Sequence, residues 1–159
     1  MKNKVILFLL IFIIFFLEIS LLPNLGIFFS WLRLSLVFMV ILAFNQSFNW
    51  VFIASLVFGL MFDFYSSAAF AYYLLAYYFS ALFVSFAMIK GFSHATQLNY
   101  YFFCSTSLVV FYFIFLFLGY IFGLSKFFSI TELILFVFLN FFIAIISRPL
   151  FKNVLKIIK

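Results

Sequence analysis

Charge is what this chain has least of. Only 8% of its 159 residues are Asp, Glu, Lys or Arg, and only three are acidic, against about 25% charged residues in a soluble domain. The single cysteine, Cys104, excludes an internal disulfide and leaves no second thiol for a metal site. The single histidine, His94, falls in a polar break, and the carboxylates lie toward the other side of the spans set out below. No nucleophile, base and orienting group can be assembled in one place, so the sequence argues against an enzyme. With so few ligands, no metal or cofactor is expected. There is no fixed-period repeat, and no stretch is polar enough to form a separate soluble domain.

What the chain has instead is apolar length. It is 70% hydrophobic with a mean hydropathy of +1.42, the composition of a polytopic membrane protein. Breaks fall at PNLG (23–26), NQSFN (45–49), YSSAA (65–69), KGFSHATQLN (90–99) and GLSKFFSIT (123–131). Because a helix needs roughly 20 residues to cross the hydrocarbon layer, six spans are expected, over 5–22, 28–44, 49–64, 70–89, 100–122 and 131–148. Runs this long suit helices rather than the alternating strands of a barrel, so the expected fold is an all-α integral membrane bundle forming one domain over 1–159. The start MKNKVILFLLIFIIFFLEISLL has a basic head like a signal peptide. Its apolar run is too long and leads into LPNLG rather than a small-x-small site, so a retained first span is expected.

The net charge of +6 does not point to nucleic acid, because the nine basic residues are scattered at span ends and in the tail. Lys2, Lys4, Lys90, Arg148, Lys152, Lys156 and Lys159 would share the face that carries the termini, with only Arg33 and Lys126 opposite. The positive-inside rule then places both ends in the cytoplasm. Arg148, Lys152, Lys156 and Lys159 recur at about one helical turn, so the tail at 149–159 would extend the last span as a basic strip for anionic lipid or a cytoplasmic partner.

Asp63 is the only aspartate, and it lies in the apolar run GLMFDFYSSAAF. A carboxylate there is expensive unless paired or neutralised. In the six-span topology Glu18, Arg33 and Asp63 share the outer leaflet, and a guanidinium can bridge two carboxylates. A buried Glu18, Arg33, Asp63 cluster is one reading, separate snorkelling to the interface is another, and Asp63 facing a partner is a third. Ser55, Gly59, Asp63 and Ser66 fall within an arc of about 80°, a small and polar stripe that marks a helix contact. Gly119 and Gly123 form a GxxxG, and Asn140, Ala144 and Arg148 descend one side of the last span at four-residue spacing, so both are further candidate contact faces.

The order of features resembles the rod shape-determining protein MreD family. They are LLPNLG, the aromatic-rich FFSWLRLSLVFMVILAF, FGLMFDFYSS with its G-x-x-x-D, AFAYYLLAYYFSALF, and the basic end SRPLFKNVLKIIK. Gly59 and Asp63 match the motif, while Ser67 and Ala71 stand where members usually have glycines. The resemblance implies a non-enzymatic inner-membrane component of the cell-elongation machinery that binds the one-span protein MreC and links MreB filaments to RodA and its transpeptidase. It also implies a six-helix bundle like the substrate-binding subunits of energy-coupling-factor vitamin transporters, which supplies the rival function of a small-molecule binder. Those subunits dock through alanine-x-x-x-alanine in the first span, and VILFLLIFIIFFLEISLL has no alanine.

Overall fold

A computed structural model of the chain describes residues 2–25, 31–45, 48–66, 71–90, 97–124 and 129–158, which are helical apart from short turns, with no strand among them. Helix α1 (Lys2–Phe16) runs through a π-helical turn (Leu17–Leu21) into α2 (Leu22–Asn24). There follow α3 (Leu34–Asn45), α4 (Phe48–Tyr65), α5 (Tyr72–Lys90), α6 (Gln97–Ile121) and α7 (Ile130–Ile158). His94, Lys126 and Lys159 lie outside the described residues.

Four helical segments are long and apolar enough to cross a membrane, namely Val5–Asn24, Phe48–Tyr65, Asn99–Ile121 and Ile130–Pro149. The chain is therefore an all-α, multi-pass membrane protein. The other two apolar helices, Leu34–Phe44 and Tyr72–Met88, are shorter. At 1.5 Å per residue they reach about 17 and about 26 Å, against a hydrocarbon core of about 30 Å. The second expected span thus needs correction. Residues 28–30 lie outside the described residues, Leu32 and Arg33 are non-helical, and the helix begins only at Leu34.

The shortness of α3 follows from its position. It packs against α1, α4, α5, α6 and α7, and these five helices also contact one another in a closed ring, α1 to α4 to α5 to α6 to α7 and back to α1. Every residue from Leu36 to Ala43 is buried. A helix apolar on all sides is one buried on all sides, and here the surroundings are protein. The ring helices bury a single stripe instead. In α1 it is Leu7, Ile11, Ile14 and Phe15, with Val5, Leu9, Phe12 and Phe16 turned outward as lipid requires. Aromatic rings fill the interior toward one end, where Tyr77 stacks on Phe62 at 5.7 Å and meets Phe111 at 5.3 Å.

The α4/α5 hairpin is fastened at Gly59. A β-carbon built there would lie 2.5 Å from Leu74 Cα, so the two backbones meet at a distance that only glycine permits. Ser55, one turn earlier on the same stripe, is buried and donates to the Phe52 carbonyl at 2.8 Å. The other glycine pair divides. Gly119 faces the Tyr72 hydroxyl at a helix contact, whereas Gly123 has φ +71° and, among the described residues, nothing within 4 Å of its absent side chain. The Leu124 N–H donates to Gly119 O at 2.8 Å and the Gly123 N–H to Tyr120 O at 3.2 Å, which is the hydrogen-bond pattern of a Schellman cap. Gly123 ends α6, and among the described residues it does not share the helix contact of Gly119.

Ala71 also has a positive φ, +70°, immediately before α5, in the left-handed region that is costly for an L-residue. Ala71→Gly should relieve this strain of about 1 to 2 kcal/mol while losing about 0.4 to 1 kcal/mol to the freer unfolded chain, so the thermal midpoint of the detergent-solubilised protein should rise, by no more than about 1.5 kcal/mol of stability. Gly59→Ala should lower it by about 1 to 3 kcal/mol, because the obstructing atom is backbone.

Candidate functional site

The polar side chains gather at the end of the bundle where α3, α5 and α7 begin. Glu18 lies on the buried stripe of the first span, one turn beyond Ile14, inside the π-helical segment. There Leu22 donates to Leu17 O, five residues back, and the widened turn comes just before Pro23, which has no N–H to donate. The Glu18 carboxylate accepts from Arg33 Nη1 at 3.2 Å and from the Ser35 backbone N–H at 2.9 Å. Ser35 Oγ in turn hydrogen-bonds the Tyr77 hydroxyl. The Glu18 side chain is 1% exposed and that of Arg33 24%, so this is a largely desolvated ion pair. The guanidinium also lies over the Phe62 ring, 5.6 Å from its centroid.

Arg33 is the residue before α3, and its carbonyl accepts from Leu36 and Val37. Ser35 is therefore the second residue of that helix, whose N–H has no intrahelical acceptor. Glu18 supplies the acceptor from the π-helical turn of the first span. Asn140, buried on α7, supplies the rest of the support for the non-helical stretch. Its Oδ1 accepts from the Arg33 N–H at 2.6 Å, and its Nδ2 donates to the carbonyls of Trp31 at 2.9 Å and Phe136 at 2.8 Å. Irregular backbone at this depth is tolerated only when protein satisfies it.

Asp63 does the same for α5. Its two oxygens accept the backbone N–H groups of Tyr73 at 2.8 Å and Leu74 at 3.1 Å, the second and third residues of that helix. Ala71, the residue in the capping position, has no side-chain oxygen, so a carboxylate eight residues upstream acts as the cap. The three-residue charge cluster is thus divided. Among the described residues the only ion pair is Glu18 with Arg33, and Asp63 is bonded to backbone instead.

The remaining candidates are placed as follows. Ser66 lines an open groove of about 860 Å³ with Phe16, Glu18, Pro23, Arg33 and Tyr65. Ala144 is buried and its carbonyl accepts from the Tyr100 hydroxyl at 3.3 Å, while Arg148 stacks on the Tyr100 ring at 4.3 Å. The face of Asn140, Ala144 and Arg148 therefore packs on α6 and on the stretch before α3. Lys152 and Lys156 lie on the same continuous helix, which passes through Pro149.

Glu132 was not singled out from the sequence, although Ser129-Ile-Thr-Glu132 is a capping-box pattern. The Glu132 N–H faces Ser129 Oγ at 3.5 Å, and the Tyr112 hydroxyl points at the Ser129 carbonyl, also at 3.5 Å. With Arg33 and a set of aromatic rings, Glu132 lines a second cavity of about 170 Å³ at this end of the bundle. No group of three or more metal-ligating side chains occurs among the described residues.

Removing one partner of a buried ion pair costs about 3 to 5 kcal/mol, because the other charge is left behind. Glu18→Ala and Arg33→Ala should each lower the thermal midpoint in detergent, and the double variant should fall well short of the sum. Arg33→Ala and Asp63→Ala share no hydrogen-bond partner and should add to within about 0.5 kcal/mol. Asp63→Ala alone should cost about 2 to 3 kcal/mol, and Asp63→Asn less, since the amide oxygen still accepts a bond. No family model, no curated protein and no solved structure matches the chain.

Proposed function

We propose that the chain is a non-enzymatic scaffold of the bacterial cell-elongation machinery, held in the cytoplasmic membrane with both termini inside. In this reading it resembles the MreD family. It binds an MreC-like one-span protein and connects cytoskeletal MreB with peptidoglycan synthesis by RodA and its transpeptidase.

The observation that carries the reading is the backbone at Ala71. Members of the resembled family usually have glycine at that place, and Ala71 holds a φ of +70°, the conformation glycine favours. The two matching motif residues serve the same hairpin, Gly59 by close approach to Leu74 and Asp63 by capping α5. A G-x-x-x-D with a glycine-favouring turn eight residues after the aspartate is then one physical device, which gives the resemblance a structural reason in this chain. The vitamin-binder alternative would have to use the open groove of about 860 Å³ beside Glu18 and Arg33, because the cavity beside Glu132, at about 170 Å³, is smaller than the about 300 to 1,000 Å³ of ordinary ligand pockets and the interior around α3 is filled by side chains.

A tagged full-length chain should recover the MreC-like protein of the same cell from detergent extracts, and its depletion should round a rod-shaped cell. Normal rods after depletion, with no such protein recovered, would overturn the assignment. Topology is checked separately, by a reporter after Lys159 that reads cytoplasmic and one at Ser66 that reads external.

A further inference from the structure

The smaller cavity has a composition that the scaffold role does not use. Six aromatic side chains line it, Trp31, Tyr73, Phe111, Tyr112, Phe115 and Phe136, together with Leu116 and two opposite charges, Arg33 and Glu132. The charges are not equivalent. Arg33 is neutralised by Glu18, whereas Glu132 has no cationic partner among the described residues. Nor is the Glu132 carboxylate consumed by backbone, as those of Glu18 and Asp63 are. A cavity lined by a carboxylate that no described residue pairs with, and by six aromatic side chains, suits a cation, and the favoured cation is an organic ammonium, which a ring quadrupole stabilises at low desolvation cost.

Size and surroundings narrow the ligand. A void of about 150 Å³ holds roughly a benzene-sized group, so 170 Å³ admits a primary or trimethylated ammonium head and little more. Arg33 and Tyr73 line both this cavity and the larger open groove, whose other walls include Phe16, Ile19, Phe62 and Tyr65. The Arg33 guanidinium gives one donor to Glu18 and retains others at the junction of the two spaces. An anionic group attached to the ammonium would meet it there, and an apolar tail would follow the groove.

We propose that this cavity binds the ammonium of a zwitterionic phosphate headgroup, with the phosphate at Arg33 and the chains of a phospholipid in the adjoining groove. The site is independent of the elongation reading.

The test uses the purified full-length chain in detergent, with thermal unfolding followed as lipid is added. Phosphatidylethanolamine should raise the midpoint in a saturable way, and phosphatidylglycerol at the same concentration should not. Glu132→Gln should raise the half-saturating concentration of phosphatidylethanolamine about tenfold, the worth of one hydrogen bond to a charged group in a partly desolvated site. Leu116→Trp, which fills the cavity but keeps Glu132, should do the same and decides the matter if Glu132→Gln does not fold. The outward-facing Phe138→Leu should bind as the parent does. Free phosphoethanolamine separates the sources: no response to it supports a lipid, and a response equal to that of the lipid overturns the lipid assignment in favour of a soluble zwitterion. Equal stabilisation by both phospholipids, or an undiminished phosphatidylethanolamine response in both cavity variants, overturns the site.

Discussion

Everything at one end of this bundle depends on satisfying the N-termini of helices that begin inside it. The chain has three acidic residues, and each stands at such a terminus. Glu18 accepts from the second residue of α3, Asp63 from the second and third residues of α5, and Glu132 lies in the first turn of α7. The first N–H groups of a helix have no intrahelical acceptor, and in an apolar medium leaving one bare costs several kcal/mol. A carboxylate answers both the missing bond and the positive end of the helix dipole. For α3 and α5 it comes from the preceding helix, so the same contact that caps one helix joins it to another.

The central position of α3 makes this requirement acute. A helix surrounded by five others can be short, because protein rather than lipid lies beyond its ends, but its start is then buried as well. The irregular stretch before it is held from two sides, by Glu18 on the first span and Asn140 on the last. Sequence-distant helices are thereby fixed against one another at a single level. Arg33 is the common element, since its backbone is the cap of α3, its side chain neutralises Glu18, and the same guanidinium borders both the groove and the cavity. A rigid polar shelf of this kind can present a constant surface to a partner and a shaped recess to a headgroup. Both proposed roles draw on it without requiring any moving part.

The sequence by itself determined the class of the protein, because run length and composition leave an apolar helix no alternative to lipid or a buried core. It also put Glu18, Arg33 and Asp63 in one leaflet as a candidate cluster, without saying which carboxylate the guanidinium meets. It marked Asn140, Ala144 and Arg148 as one face, which four-residue spacing on a helix makes legible. Glu132 was not singled out, although the serine three residues before it carried the signal. What only the tertiary structure decided is where Asp63 goes. Helical periodicity shows the face a residue occupies, but the partners of Asp63 are backbone N–H groups at Tyr73 and Leu74, and every residue type except proline carries the same donor. The same holds for Gly123, whose role depends on a positive φ and not on a neighbour, and for α3, whose all-round hydrophobicity looks alike whether lipid or five other helices surround it.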